Sequence, residues 1–169
     1  DCNDEFFAEK ENLLKAAPAV WKEGVYTDRG KWMDGWETRR RRDDGTHDWC
    51  IVQLGVPGLI HGFVVDTAFF RGNYPEYCSI DAIEVKSKRK TTAEQVSMAG
   101  WKNILEKSSL KGDTRNEFRL STPVSATHLR LNIFPDGGVA RFRVHGEPSF
   151  NVDAKPRNGL VDFAAIKNG

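Results

Sequence analysis

Side chains suited to acid–base or anion-binding chemistry are concentrated in one stretch of the sequence, residues 28–49. Its carboxylates suit proton transfer, its guanidinium groups can hold a carboxylate through paired hydrogen bonds, and its tryptophan rings can wall a pocket. Runs such as the four arginines at 39–42 more often form a solvated face. In an extended segment alternate side chains point to opposite sides, so at most two of the four would line one pocket. The stretch as a whole predicts a site for a small anion.

Two individual residues are further candidates for acid–base roles. Asp66 lies between apolar residues, where a carboxylate is costly to bury unless it is paired or hydrogen-bonded. It is either a structural partner of an arginine or a general base or substrate anchor. His47 titrates near neutral pH and is either a catalytic acid or base or a turn histidine. No metal-ligand spacing, phosphate loop or dinucleotide fingerprint is present. We therefore expect no cofactor, with stimulation by a divalent metal left open.

The composition fits one folded domain and argues against two classes of partner. The 169 residues carry 25 Lys and Arg against 24 Asp and Glu, a formal charge of +1, whereas nucleic-acid binding needs a basic surface. No apolar run approaches the roughly 20 residues that cross a bilayer. The three cysteines, Cys2, Cys50 and Cys78, are too few and too widely spaced for a disulfide framework or a zinc site. We expect an intracellular protein, cytoplasmic or peroxisomal, in which Cys50 is buried.

Helical patterns are few. Residues 4–16 place apolar side chains near one helical face after a capping candidate at Asp4, and Pro18 ends the pattern. Residues 17–46 lack periodicity and are interpreted as a long, ordered loop of the kind that often carries function. Residues 92–99 predict a second short helix behind a capping box.

Strand patterns dominate the rest of the chain. Apolar, alternating or β-branched segments separated by Gly- and Pro-containing turns predict strands at 48–54, 60–70, 78–86, 116–121, 127–134 and 140–144. The turns between them are expected at 55–58 and 71–75, with a hairpin turn at 135–138. A phase shift between Ala82 and Ile83 in the third strand indicates either a bulge or burial on both faces. This order predicts an all-β fold, an antiparallel β-sandwich or jelly roll with short peripheral helices, over residues 1–147. Residues 148–169 are expected to be a C-terminal extension or an inter-repeat linker.

Four strings carry a resemblance to a known family. They are residues 30–40 (GKWMDGWETRR), 47–55 (HDWCIVQLG), 65–73 (VDTAFFRGN) and 129–138 (LRLNIFPDGG). In sequence and order they resemble the allantoicases, and the resemblance covers about residues 4–147. It implies a galactose-binding-like (discoidin-like) jelly roll. The family's subunit resembles two such repeats in tandem, and this chain resembles the first.

The resemblance also implies a reaction, the hydrolysis of allantoate to ureidoglycolate and urea in purine breakdown. Within it, the acids and bases expected to move protons are Glu37, Asp66, His47 and Asp34. The residues expected to bind the substrate's carboxylate and ureido groups, or to flank them, are Lys31, Trp32, Trp36, Arg39, Arg40, Asn73, Arg130, Asn132 and Arg141.

Two departures from the family pattern keep other functions open. A strand upstream of residues 4–8 is missing, and the segment between residues 84 and 118 is shortened. The chain is therefore expected to be a fragment, a processed chain or a single-repeat relative. Its partners would be allantoate and a second repeat or sister subunit in a homo-oligomer. The alternatives are a non-catalytic jelly-roll module that binds a small anion or a carbohydrate, and a half-site that needs its partner repeat.

Overall fold

The computed structural model describes residues 1–42, 46–85 and 100–149. These residues form one short 3-10 helix, Lys10–Leu14, and nine strands. The strands are β1 (Tyr26–Thr27), β2 (Gly30–Lys31), β3 (Trp36–Glu37), β4 (Asp48–Asp66), β5 (Tyr77–Ile83), β6 (Lys102–Ser109), β7 (Arg115–Phe134), β8 (Gly138–Val139) and β9 (Arg141–Pro148). None of the helices in the described part of the chain is long and apolar enough to cross a membrane.

A five-stranded antiparallel sheet in the order β6-β5-β7-β4-β9 organises the molecule. Its spine is the ladder between the two long strands β4 and β7, which is interrupted by a register shift between Gln53 and Gly58. On one side of the shift β5 pairs with β7 over residues 128–134. On the other side β9 pairs with β4 over residues 58–66. The sheet therefore has two halves with different outer strands.

Both halves bury their inner side chains in the same core. Alternation along β7 places Leu129, Leu131 and Ile133 fully inside, and Phe63 of the other half stacks on Phe142 with ring centroids 5.9 Å apart. One core shared by two halves of a folded sheet is the arrangement of a sandwich. The predicted all-β, antiparallel fold is confirmed.

The three cysteines are free thiols, as the sequence predicted. Cys50, expected to be buried, is 2% exposed, and burial raises the pKa of both Cys50 and Cys78 to about 12. Such thiols remain protonated and unreactive at neutral pH, and they act as small core side chains.

Strand boundaries differ from the predictions in a consistent way. The expected turn at 55–58 lies inside β4, where the ladder to β7 is interrupted and a proline costs no hydrogen bond. The expected strands at 116–121 and 127–134 are one continuous strand, β7.

The expected strand at 60–70 ends earlier, at Asp66, because the Asp66 side chain accepts the Ala68 amide (2.9 Å) and turns the chain. The phase shift at residues 82–83 reflects two-sided burial, since consecutive residues of β5 are buried; the register shifts of β5 against β6 lie earlier, between Cys78 and Asp81.

The predicted helix at 4–16 is wrong except for its last residues. Ala8 instead forms an extended bridge with Glu37, and only Lys10–Leu14 coil into 3-10 geometry. The Asp4 carboxylate accepts the Phe6 amide and pairs with Arg39 rather than capping a helix. Contacts with a distant segment override the weak preference of a short amphipathic helix, which is marginal alone.

The predicted hairpin at 135–138 is a turn but not a hairpin. The strand that follows, β9, pairs with β4 and not with β7, and the turn residues continue into β8, which pairs with β3. Part of the expected loop at 17–46 is thereby ordered as short strands. Strand β6 was not predicted. The predicted helix at 92–99, the end of the predicted strand at 78–86 and residues 150–169 lie outside the described residues.

Candidate active site

A pocket of about 590 Å³ opens beside β2 and β3. It brings together three of the predicted site residues, Lys31, Glu37 and Asn73, which come from separate parts of the chain. The remaining lining residues are Phe7, Trp21, Glu23, Gly30, Met33, Phe69, Arg71 and Gly72. A concave, mostly apolar pocket with a few convergent polar groups is the usual form of a small-molecule site.

Backbone pairing on both sides fixes Glu37. Its strand β3 pairs with β8, and on the other side its amide donates to the Ala8 carbonyl (3.1 Å) while its carbonyl accepts the Phe7 amide (3.1 Å). The neighbouring Trp36 side chain is fully buried and donates from Nε1 to the Asp4 carbonyl (2.8 Å). Since residues 36 and 37 point to opposite faces, burial of Trp36 directs Glu37 towards the pocket.

Asn73 positions the Glu37 carboxyl group. Its Nδ2 donates to Glu37 Oε1 at 2.7 Å, and its own carbonyl accepts the Gly138 amide at 2.7 Å. A Cβ added at Gly137, whose φ is +135°, would lie 2.7 Å from that same carbonyl. The turn at 135–138, which the sequence predicted as a hairpin, therefore lets the backbone of Gly137 and Gly138 pack closely against Asn73 and holds its loop beside β3.

Burial raises the pKa of Glu37 above its ordinary value, although the hydrogen bond from Asn73 opposes this by stabilising the carboxylate. Because Asn73 donates to Oε1, Oε1 acts as an acceptor and the proton of the acid form belongs on Oε2. Glu37 is thus a carboxyl group disposed to carry a proton and present it from one oxygen, as a general acid does.

Aromatic rings not predicted from the sequence form the walls. The rings of Trp21 and Phe69 lie 5.9 Å apart, and Lys31 Nζ lies 4.0 Å from the centre of the Trp21 ring. Phe69 has a φ of +69°, which a phenylalanine rarely adopts, and its amide donates to Asp113 Oδ1 (2.8 Å). The Phe69 backbone conformation is therefore held by a loop 44 residues away in sequence.

Asp113 also orients Arg71, another residue of the pocket lining that the sequence did not predict as a site residue. Arg71 Nε donates to Asp113 Oδ2 at 3.0 Å, and its side chain is 79% exposed. No other hydrogen bond of Arg71 is present within the described residues, so its two terminal nitrogens remain available to an anion. The only signal in the sequence was its position inside the 65–73 string.

Asp34 and Arg141, predicted as catalytic and substrate-binding residues, form a buried ion pair with each other and do not line the pocket. Arg141 Nη2 lies 2.7 Å from Asp34 Oδ2, and both side chains are less than 5% exposed. The other Arg141 nitrogens donate to main-chain carbonyls, among them that of Ala17 (2.9 Å). Burial favours a raised pKa for Asp34, but the hydrogen bonds from Arg141, Val20 and Lys15 outweigh it and lower the pKa. Every donor of the Arg141 guanidinium is therefore engaged within the protein, and the predicted role of Arg141 in substrate binding stays a prediction.

Three more predicted site residues meet on the outer face of the sheet. Arg130 donates from Nε and Nη2 to Asp81 Oδ2 (3.0 and 2.8 Å), and Asn132 Nδ2 donates to the same oxygen (2.8 Å). His47 stacks on Phe134 with ring centroids 4.7 Å apart. Burial, reinforced by the charges of nearby arginines, lowers the pKa of His47, so the ring is neutral at pH 7. None of these residues lines the pocket.

The other predicted residues also lie away from the pocket lining. Asp66 ends β4 through its contact with the Ala68 amide. Trp32 is half-buried beneath Lys22, whose Nζ lies 4.6 Å from the ring centre. Arg39 pairs with Asp4 at 2.6 Å, and Arg40 is exposed.

Across residues 1–42, 46–85 and 100–149, no three His, Cys, Asp or Glu side chains are grouped so that they could hold a metal ion. The absence of a cofactor stays a prediction.

The fold is that of a jelly-roll domain, and the pocket is its candidate ligand site. A chitosan-binding module from a Paenibacillus chitosanase/glucanase superposes with a TM-score of 0.55 over 86% of this chain and 92% of that chain; at 13% identity this shows a shared fold alone. The crystal structure of allantoicase from Saccharomyces cerevisiae superposes with a TM-score of 0.67 at 31% identity, covering 86% of this chain and 39% of that one.

Sequence comparisons show the family to which the chain belongs. The model of the allantoicase repeat matches residues 1–149. A probable allantoicase of Photobacterium profundum is 46% identical over 98% of this chain and 48% of its own length, and the allantoicase of Dictyostelium discoideum is 45% identical over 99% and 45%. The chain belongs to the allantoicase family, and its residues 1–149 match one allantoicase repeat. It spans about half the length of the curated relatives it matches.

Proposed function

We propose that this repeat hydrolyses allantoate to ureidoglycolate and urea in the pocket that contains Glu37. The observation that carries the proposal is the convergence in one pocket of an allantoicase repeat of Glu37, whose pKa burial raises, the asparagine that orients it and two cationic side chains. The predicted chemistry needs these group types: an acid for the leaving nitrogen and donors for a carboxylate.

The substrate's groups match the lining. Allantoate carries one carboxylate and two ureido groups on a single carbon. The free terminal nitrogens of Arg71 offer the carboxylate two parallel hydrogen bonds, and Lys31 adds a second positive charge. The planar ureido groups can pack against the adjoining Trp21 and Phe69 rings, which also exclude water from the reacting carbon.

Glu37 moves the proton in both halves of the reaction. In its acid form it donates the Oε2 proton to the nitrogen that joins one ureido group to the central carbon. The C–N bond then breaks and urea leaves, while the lone pair of the other ureido nitrogen forms a C=N bond to the same carbon. Water adds to that carbon, its proton returns to the Glu37 carboxylate, and ureidoglycolate is formed. One carboxyl group thus serves first as acid and then as base, because donating its proton in the first step leaves the carboxylate that accepts a proton in the second.

The assembly of the functional protein is also a proposal. Relatives about twice as long as this chain support a partnership with a second repeat, and we extend this to a homo-oligomer. We further propose an intracellular protein, cytoplasmic or peroxisomal, in keeping with three free thiols. The expectation that no cofactor is needed is tested by comparing rates before and after dialysis against a chelator.

The function is tested by incubating the purified chain with allantoate and measuring urea and ureidoglycolate. Equal amounts of both products support the proposal. Binding of allantoate without urea release refutes it and supports a non-catalytic module. If neither occurs, the assay is repeated with the chain joined to a second repeat, and activity appearing only then identifies a half-site.

A further inference from the structure

One acidic residue of the pocket lining has no part in the proposed chemistry. Among the described residues that line the pocket, only Glu23 and Glu37 are acidic, and Glu23 is exposed. The other charged lining residues, Lys31 and Arg71, are positive, as suits an anionic substrate. A second carboxylate repels the carboxylate of such a substrate. Glu23 is therefore expected to face a part of the ligand that donates hydrogen bonds.

Local contacts fix the position of the Glu23 carboxylate. Its Oε2 accepts the Trp21 Nε1 proton at 2.7 Å, which ties the carboxylate to the edge of a ring that forms the pocket wall. The segment is anchored just before that ring, where the Val20 amide donates to Oδ2 of the buried Asp34 at 3.0 Å. Just after Glu23 the chain turns at Gly24, whose φ is +67°. Glu23 is thus held beside the aromatic wall.

The second oxygen of Glu23 is available to a ligand. Within the described residues, Glu23 Oε1 accepts no hydrogen bond and forms no ion pair. Glu37 differs, because Asn73 occupies its Oε1 and its Oε2 carries the proton of the acid form. Of the two acids in the lining, Glu23 is therefore the one that can accept hydrogen bonds from a ligand while Glu37 holds its proton.

We propose that Glu23 recognises a ureido group of the substrate and so selects ureido acids over other carboxylates. A ureido group presents parallel N–H donors along the edge opposite its carbonyl, and a carboxylate can accept them side by side. Arg71 and Lys31 bind the substrate's carboxylate, while Glu23 binds the donor-rich ureido end. Side chains of opposite charge thus distinguish the two ends of the substrate. The inference rests on the proposed function for the identity of that substrate.

The test is equilibrium binding of two matched ligands to the complete chain. N-carbamoylglycine carries a carboxylate and a ureido group, and N-acetylglycine has a methyl group in place of the terminal NH2. Wild-type protein is expected to bind N-carbamoylglycine about tenfold more tightly, the low end for hydrogen bonds to a charged group because Glu23 is exposed. Glu23→Gln, whose Oε1 can still accept from Trp21, and Glu23→Ala are expected to lose most of this preference. Glu106→Gln, at an exposed position on β6, is the control and should keep it.

The direction of the change separates recognition from simple electrostatics. Removing a negative charge strengthens the binding of any anion by itself, whereas recognition by Glu23 requires that its loss weaken the binding of N-carbamoylglycine. Wild-type protein that binds both ligands equally, or neither, overturns the inference. Folded Glu23 variants, verified by circular dichroism, that keep the preference also overturn it.

The same measurements separate this inference from the proposed function, since ligand binding needs no turnover. If the preference depends on Glu23 but the wild-type chain releases no urea from allantoate, ureido recognition stands and the proposed hydrolysis falls. If urea is released while the Glu23 variants keep the preference, the hydrolysis stands and the role of Glu23 falls.

Discussion

Replacing Glu37 with glutamine removes the proposed acid with the least structural change. Gln has the same shape, and its Oε1 can still accept the 2.7 Å hydrogen bond from Asn73, so the pocket and substrate binding should persist. What is lost is the proton on Oε2. General acid–base catalysis contributes about 10²–10⁴-fold to rate, so kcat should fall by that factor while KM changes little. At about 1.4 kcal/mol per tenfold this is roughly 3–5 kcal/mol of barrier.

Initial rates of urea release measure this effect directly. Glu106→Gln, the same substitution at an exposed position on β6, is the control and should retain parental turnover. Because burial raises the pKa of Glu37, the wild-type rate should fall as pH rises through that pKa, since the acid form is lost. The variant should lack this alkaline decrease. Near-parental turnover in Glu37→Gln would refute the assignment of Glu37 as the acid.

Three further outcomes follow from the contacts around the site. Asn73→Leu removes the donor that stabilises the Glu37 carboxylate, so the pKa should rise further and the alkaline limb of the kcat profile should move to higher pH. Asp113→Asn weakens the positioning of Arg71, and steady-state kinetics should show KM raised roughly two- to fivefold with kcat changed less. Asp34→Ala leaves a buried guanidinium without its carboxylate, and urea denaturation should show a loss of about 3–5 kcal/mol in the free energy of unfolding.

The strands were predictable because their signal is local. Leu129, Leu131 and Ile133 alternate with polar residues, and that alternation alone identifies the buried face of β7. Strand partners are not local, which is why the turn at 135–138 predicted a hairpin although β9 pairs with β4. The turn predicted at 55–58 failed for the same reason, since a bulge inside a long strand has the same composition as a turn.

The candidate site was predictable only in part. Glu37 and Asn73 belong to strings that resemble the family, and the pocket joins them across 36 residues. Asp34 lies in one of the same strings, yet it is buried in an ion pair with Arg141, which is 107 residues away in sequence. Composition cannot distinguish a carboxylate that meets a substrate from one that meets a buried arginine. Arg71 was missed because its orientation depends on Asp113, a loop residue with no motif of its own.

A crystal structure of the Glu37→Gln variant with allantoate would show whether this pocket holds the substrate. We expect allantoate against the Trp21 and Phe69 rings, with its carboxylate on Arg71 and a ureido nitrogen beside residue 37. Allantoate bound instead at the Arg130–Asn132 cluster on the outer face of the sheet would contradict it.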